Sequence, residues 1–165
     1  MSDSQKPAPL DRIIQFLLDI GLQIRKTEFT HQSFLPGITV DRGTILIDES
    51  KLLHPGDLLH EAGHLAVIAG EKRRRAQDDL GKKASEEMMA IAWSYAALVH
   101  LGMDPSIVFH EGGYRGWSGA LIENFTNGRY IGVPMLQWMG LTADEKRAKE
   151  RGVKPYPAMI KWLVD

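Results

Sequence analysis

The sequence contains no cysteine. That excludes disulfide bonds and thiolate metal sites, so a metal ion here could use only histidine, carboxylate and water. No run approaches the roughly 18 consecutive apolar residues that a membrane span requires, so no transmembrane segment is expected. Charge of one sign is missing too: 20 Lys and Arg face 21 Asp and Glu, a net charge of -1. No global field therefore draws the chain to nucleic acid or to a membrane surface. Internal repeats are absent. The opening stretch Met1 to Pro9 is polar and has no hydrophobic signal region, which predicts a cytoplasmic protein by default.

What is present is an ordinary globular composition. Over 165 residues, 44% are hydrophobic and 25% charged, enough for one domain to bury a core without cross-links. The expected organisation is a disordered lead-in over 1–9 and a single domain over 10–165.

Along the chain, Ile13, Ile14, Phe16, Leu17, Leu18 and Ile20 have helical spacing within a segment running from Leu10 to Arg25, with a stop near Gly21. Two β-branched runs flank Asp41-Arg42-Gly43 and predict a hairpin turning there. A link with Pro55 and Gly56 leads to an apolar helical stretch, Asp57 to Gly70. The following run from Glu71 to Asp79 carries four bases diluted by acids. It reads as a solvated loop or helix end rather than a nucleic-acid patch. A second helix is expected from Ala84 to Leu101, closed by Gly102 and Pro105. Beyond it lie a Gly-rich loop around His110 to Trp117, a helix from Ser118 to about Asn127, and Met135–Met139. The last expected helix, Thr142–Glu150, has an apparent capping box in Thr142 and Glu145. Pro155-Tyr156-Pro157 precedes a short terminal segment.

One pattern carries chemistry. Within Asp57 to Gly70 stands His-Glu-x-x-His, formed by His60, Glu61 and His64. Positions i and i+4 of a helix point to nearly the same side, one turn apart, so the two imidazoles can grip one metal ion. Glu61 lies beside that edge without overlapping either ring, where a carboxylate can take a proton from water. Leu58, Leu59, Ala62, Leu65, Ala66 and Ile68 make the rest of the segment apolar. Two histidines and a glutamate are costly in such a buried helix unless something satisfies them, and a metal would do so.

A catalytic zinc site typically uses three protein ligands. Of the other histidines, His31, His54, His100 and His110 each stand alone, whereas the second helix offers Glu86 and Glu87. A ligand there needs close helix approach, so small residues should share its face. From Glu87 the i+3 and i+7 positions are Ala90 and Ser94; from Glu86 they are the bulky Met89 and Trp93. Glu87 is therefore favoured over Glu86. For a developing oxyanion, the Gly-rich loop offers His110, Tyr114 and Arg115.

Two stretches carry a family resemblance: Ile45-Leu46-Ile47 followed by a link and Leu58-Leu59-His60-Glu61-Ala62-Gly63-His64-Leu65-Ala66, then Glu87-Met88-Met89-Ala90-Ile91-Ala92-Trp93-Ser94. Together they resemble the gluzincin-like ImmA/IrrE metallopeptidases of bacteria and phages, over about residues 38–100. The chain departs from that pattern at Ile91, where the family usually has Asn, and no helix-turn-helix module is evident. The resemblance implies an α+β, mostly helical zincin-like domain with a small antiparallel sheet packed on the His-Glu-x-x-His helix. It also implies His60, His64 and Glu87 as Zn2+ ligands, Glu61 as general base, and a peptide or protein substrate. The rival expectation is a catalytically silent zinc-binding regulatory domain, motivated by the small size of the chain. Purified protein should contain about one zinc per chain, lost in His64→Ala and in Glu87→Ala, as measured by elemental analysis; metal-free native protein after zinc is supplied would remove the site.

Overall fold

The structure is a computed structural model that describes residues 8–78, 80 and 83–165. Helix α1 spans Pro9–Asp19, followed by strands β1 (Gln23–Lys26), β2 (Ile38–Asp41) and β3 (Thr44–Ile47). Then come α2 (Asp57–Ala66), the single turn α3 (Gly70–Arg73), the long α4 (Ala84–Leu101), α5 (Ser118–Thr126), α6 (Val133–Trp138) and α7 (Glu145–Arg151). The fold is α+β. Among the described residues, no helix is long and apolar enough to cross a membrane.

The sheet corrects the expectation of a purely antiparallel arrangement. Its order is β1-β3-β2, with β2 antiparallel to β3 but β1 parallel to it. The β2–β3 hairpin turns at the expected place. Asp41 pairs with Thr44, leaving Arg42 and Gly43 as a two-residue turn with φ of 45° and 76°, both on the positive side that a type I′ turn requires. Strand β1, just past the expected helix stop near Gly21, has no strand signal of its own in the sequence. Gln-Ile-Arg-Lys is an exposed edge strand with one partly buried apolar residue, Ile24, too little for a period-two signal. The helix itself stops at Asp19, and the chain reverses through Gly21.

One contiguous apolar cluster joins these elements. Ile13, Phe16 and Leu17 of α1 meet Ile38, Val40, Ile45 and Ile47 of the sheet, the apolar faces of α2 and α4, Phe125 of α5 and Leu136 of α6. Helix α4 lies at its centre: every residue from Met89 to Leu98 is buried. Its end is closed as expected. Gly102 is left-handed, and the Gly102 and Met103 N–H groups return to Val99 and Leu98, a Schellman closure.

Three further expectations change. The lead-in placed over 1–9 lies outside the described residues as far as residue 7, while Pro9 is already the first residue of α1. The cap of α7 is Asp144, whose carboxylate accepts from the Arg147 N–H at 2.8 Å. Thr142 is fully buried instead, donating its hydroxyl to the Ala158 carbonyl. Nor is the basic run wholly solvated. The Arg73 guanidinium donates to the carbonyls of Leu65, Ile68 and Val164, satisfying acceptors left over where α2 ends. Of the same run, Asp78 accepts from the Val40 N–H at 2.6 Å and from the Thr39 hydroxyl, covering part of the β2 edge.

The link between β3 and α2 is ordered by Asp48, a buried carboxylate. The Ser50 hydroxyl, the Phe29 N–H and the Lys51 ammonium outweigh burial and hold its pKa at about 2, below the ordinary 3.8. A depressed carboxylate contributes stability that is complete above the unfolded pKa and disappears as pH falls through the folded one. Asp48→Ala should therefore melt at lower temperature than the native protein at pH 7. The gap should narrow as pH drops from about 4 towards about 2, as followed by circular dichroism at each pH.

Candidate metal centre

Helices α2 and α4 pack directly against each other, and the site forms where they come closest. A Cβ built on Gly63 would lie 2.9 Å from the Ala90 carbonyl oxygen and 3.2 Å from its Cα. Gly63 thus sets the helix spacing: no other residue fits without moving α4. Ala90 is one turn after Glu87, and Gly63 immediately precedes His64. The short spacing therefore brings the Glu87 carboxylate to the imidazoles.

The three groups converge. His60 Nε2 is 3.2 Å from one Glu87 oxygen, His64 Nε2 is 2.9 Å from the other, and the two Nε2 atoms are 3.1 Å apart. His64 is almost fully buried, His60 nearly so, and the Glu87 side chain keeps 38% of its surface, leaving one side open to solvent. Burial alone would raise the Glu87 pKa. Hydrogen bonds from His60 and His64 reverse that and hold it well below the carboxylate range. Glu86, the alternative, pairs with Lys72 at 3.5 Å and stays outside the cluster.

This donor set fits a divalent cation. Zinc bonds of about 2.1 Å in a tetrahedral arrangement would separate the ligand atoms by roughly 3.4 Å. The two Nε2 atoms stand 3.1 Å apart, and one donor atom from each of the three residues lies within 4.8 Å of the others, close enough for one ion to reach all three. Without an ion the two Nε2–H groups donate to the Glu87 carboxylate; a cation would take the place of those protons and bind both imidazoles and the carboxylate. His64 Nδ1 is buried with no hydrogen-bond partner among the described residues, which leaves Nε2 as the nitrogen that faces the cluster.

Glu61 stands next to the pair on the same helix. Burial raises its pKa, offset in part by His64 and His60 and reinforced by the nearby Asp78 and Glu87 carboxylates.

The Gly-rich loop reaches the site differently from the three candidates drawn from it. Tyr114 places its hydroxyl 3.0 Å from His60 Nδ1, on the face of the ring away from the cluster. Burial, with the negative charges of Glu87 and Asp57, pushes its pKa up and keeps it neutral. His110 turns to Asp57, the first residue of α2, with Nε2 2.7 Å from the carboxylate, and stacks on His54 with ring centroids 3.7 Å apart. Arg115 is exposed. Tyr114, Arg115 and Gly116 all have positive φ, 54°, 52° and 84°, and this tight left-handed turn drives Tyr114 inward while Arg115 faces out. Ser118 secures the turn by donating to the carbonyls of His110 and Gly113. The pairing of Asp57 with His110, across 53 residues, has no local sequence signature.

Two open surface grooves of about 470 and 510 Å³ flank His100. That residue is 13 positions along α4 from Glu87, about 20 Å away at helical rise, so neither groove adjoins the cluster.

No protein-family model, no curated protein and no solved structure matches the chain.

Because the helix spacing sets the ligand geometry, Gly63→Ala should weaken zinc binding by about tenfold or more. Its added methyl must displace the Ala90 backbone, and a shift of a few tenths of an ångström spoils three-point coordination. Competition with a chromophoric chelator measures the change, and unaltered affinity would show that the helices have slack at this point.

Proposed function

We propose that this protein is a zinc-dependent peptidase of the ImmA/IrrE type. In this reading His60, His64 and Glu87 hold the metal, and Glu61 is the general base acting on a peptide or protein substrate. The observation that carries it is the convergence of two imidazoles and one carboxylate from two helices onto a point open to solvent on one side, with a further carboxylate one residue from the first histidine.

A zinc ion bound there would polarise a carbonyl oxygen and acidify water. The chain's own groups do the rest. Glu61 accepts a proton from the attacking water and later delivers it to the leaving amine. Burial disfavours its negative charge and so helps it take up a proton. His60 and His64 act as neutral ligands, and Glu87 supplies the one negative charge of the ligand set. Tyr114 turns its hydroxyl to His60 rather than into the space a substrate would fill. Arg115 is exposed beside it. A cytoplasmic location and the absence of membrane or nucleic-acid partners belong to the same proposal.

Glu61→Gln should bind zinc as the native protein does while peptide turnover falls by at least about a hundredfold. Casein or a mixed peptide library followed by mass spectrometry reads the turnover, and elemental analysis reads the metal. Unchanged cleavage would remove Glu61 from the chemistry. Zinc binding without cleavage in the native protein would instead favour the silent regulatory domain.

A further inference from the structure

The two histidines of the cluster are held differently. His64 Nδ1 is buried without a partner among the described residues, whereas His60 Nδ1 faces the Tyr114 hydroxyl at 3.0 Å. The Tyr114 ring meets the His60 ring edge to face, with centroids 5.4 Å apart, and its other side packs on Phe109 at the same separation. Tyr114 reaches this position from a backbone with φ of 54°, a conformation costly for a bulky residue. The surrounding contacts must therefore hold it there, and the hydrogen bond to His60 is one of them.

We infer that Tyr114 is a positioning residue that fixes the orientation of the His60 imidazole in both the metal-free and the metal-loaded protein. The reason lies in its chemistry. A hydroxyl both donates and accepts, whereas a carboxylate or a backbone carbonyl only accepts. When His60 Nε2 carries its proton and donates to Glu87, Nδ1 has the lone pair and Tyr114 donates to it. When Nε2 must offer its lone pair to a cation, the proton resides on Nδ1 and Tyr114 accepts from it. The hydroxyl hydrogen rotates and the contact survives. The ring is thereby held ready for the metal, and the partner of this ligand strengthens binding as such outer contacts generally do. His64 Nδ1 has no such partner among the described residues, and that ring is held by burial and by Glu87.

This inference rests on the metal-binding reading above. Tyr114→Phe tests it, since the ring that packs on Phe109 and His60 is retained and only the oxygen is lost. Zinc affinity by chelator competition should fall ten- to a hundredfold, and the visible absorption spectrum of the cobalt-substituted protein should change. The thermal midpoint of the metal-free variant, which reads the fold, should stay within a few degrees of the native value. In the zinc-loaded native protein, ¹⁵N-resolved NMR should show a slowly exchanging His60 Nδ1 proton that Tyr114→Phe loses. Equal zinc affinity and an unchanged cobalt spectrum in the variant would overturn the inference and leave the metal site standing. Failure of the native protein to bind zinc or cobalt would overturn the metal reading and this inference with it.

Discussion

The contact on which this structure depends is the close approach of two helices at Gly63 and Ala90. A single hydrogen in place of a side chain lets the α2 and α4 backbones touch. Both helices are rich in small buried residues: Ala62 and Ala66 on α2, and Ala90, Ala92, Ala96 and Ala97 on α4. Small residues of this kind contribute less apolar area each than Leu or Ile. Their advantage is proximity, which a carboxylate with two methylene groups needs to reach a pair of imidazoles on a neighbouring helix.

That proximity places polar groups where they are expensive. A buried polar atom without a partner costs about 1–3 kcal/mol, and His64 Nδ1 is such an atom. Without a metal, Glu87 offsets much of the cost by accepting from both histidines. Structural zinc sites bind with apparent free energies on the order of 10 kcal/mol, so a cation at this point would outweigh the whole polar penalty. The same ion would cross-link the two central helices of the core. The proposed chemical role and a stabilising one would both follow from this one geometry.

The loop from His110 to Ser118 is the second support. It is tied to α2 at two points one turn apart, through His110 to Asp57 and through Tyr114 to His60. The left-handed turn between them divides the loop's side chains, sending Tyr114 inward and Arg115 out. The loop thus braces α2 at its first turn, and its strain is sustained by those ties.

Much of this was legible without coordinates. The periodicity of the chain reveals α1, α2, α4 and the hairpin, because each repeats its apolar residues at the period of its own backbone. His60, Glu61 and His64 are legible because all three sit within five positions of one helix, where local geometry alone decides their relation. Glu87 was accessible through the small residues on its face, a local trace of the packing to come. Strand β1, the Asp144 cap, the bonds of Arg73 to backbone carbonyls and the pairing of Tyr114 with His60 were not. Gln-Ile-Arg-Lys is a strand only because β3 lies beside it. Thr142 lost its apparent capping role because burial against Ala158 claimed its hydroxyl. Tyr114 finds His60 across 54 positions. Sequence by itself determined the elements and the chemistry available to them, since both follow from neighbours along the chain. Which distant groups meet, and so which ligand is oriented and which loop is strained, was decided by tertiary packing, because those contacts depend on distances that no local pattern encodes.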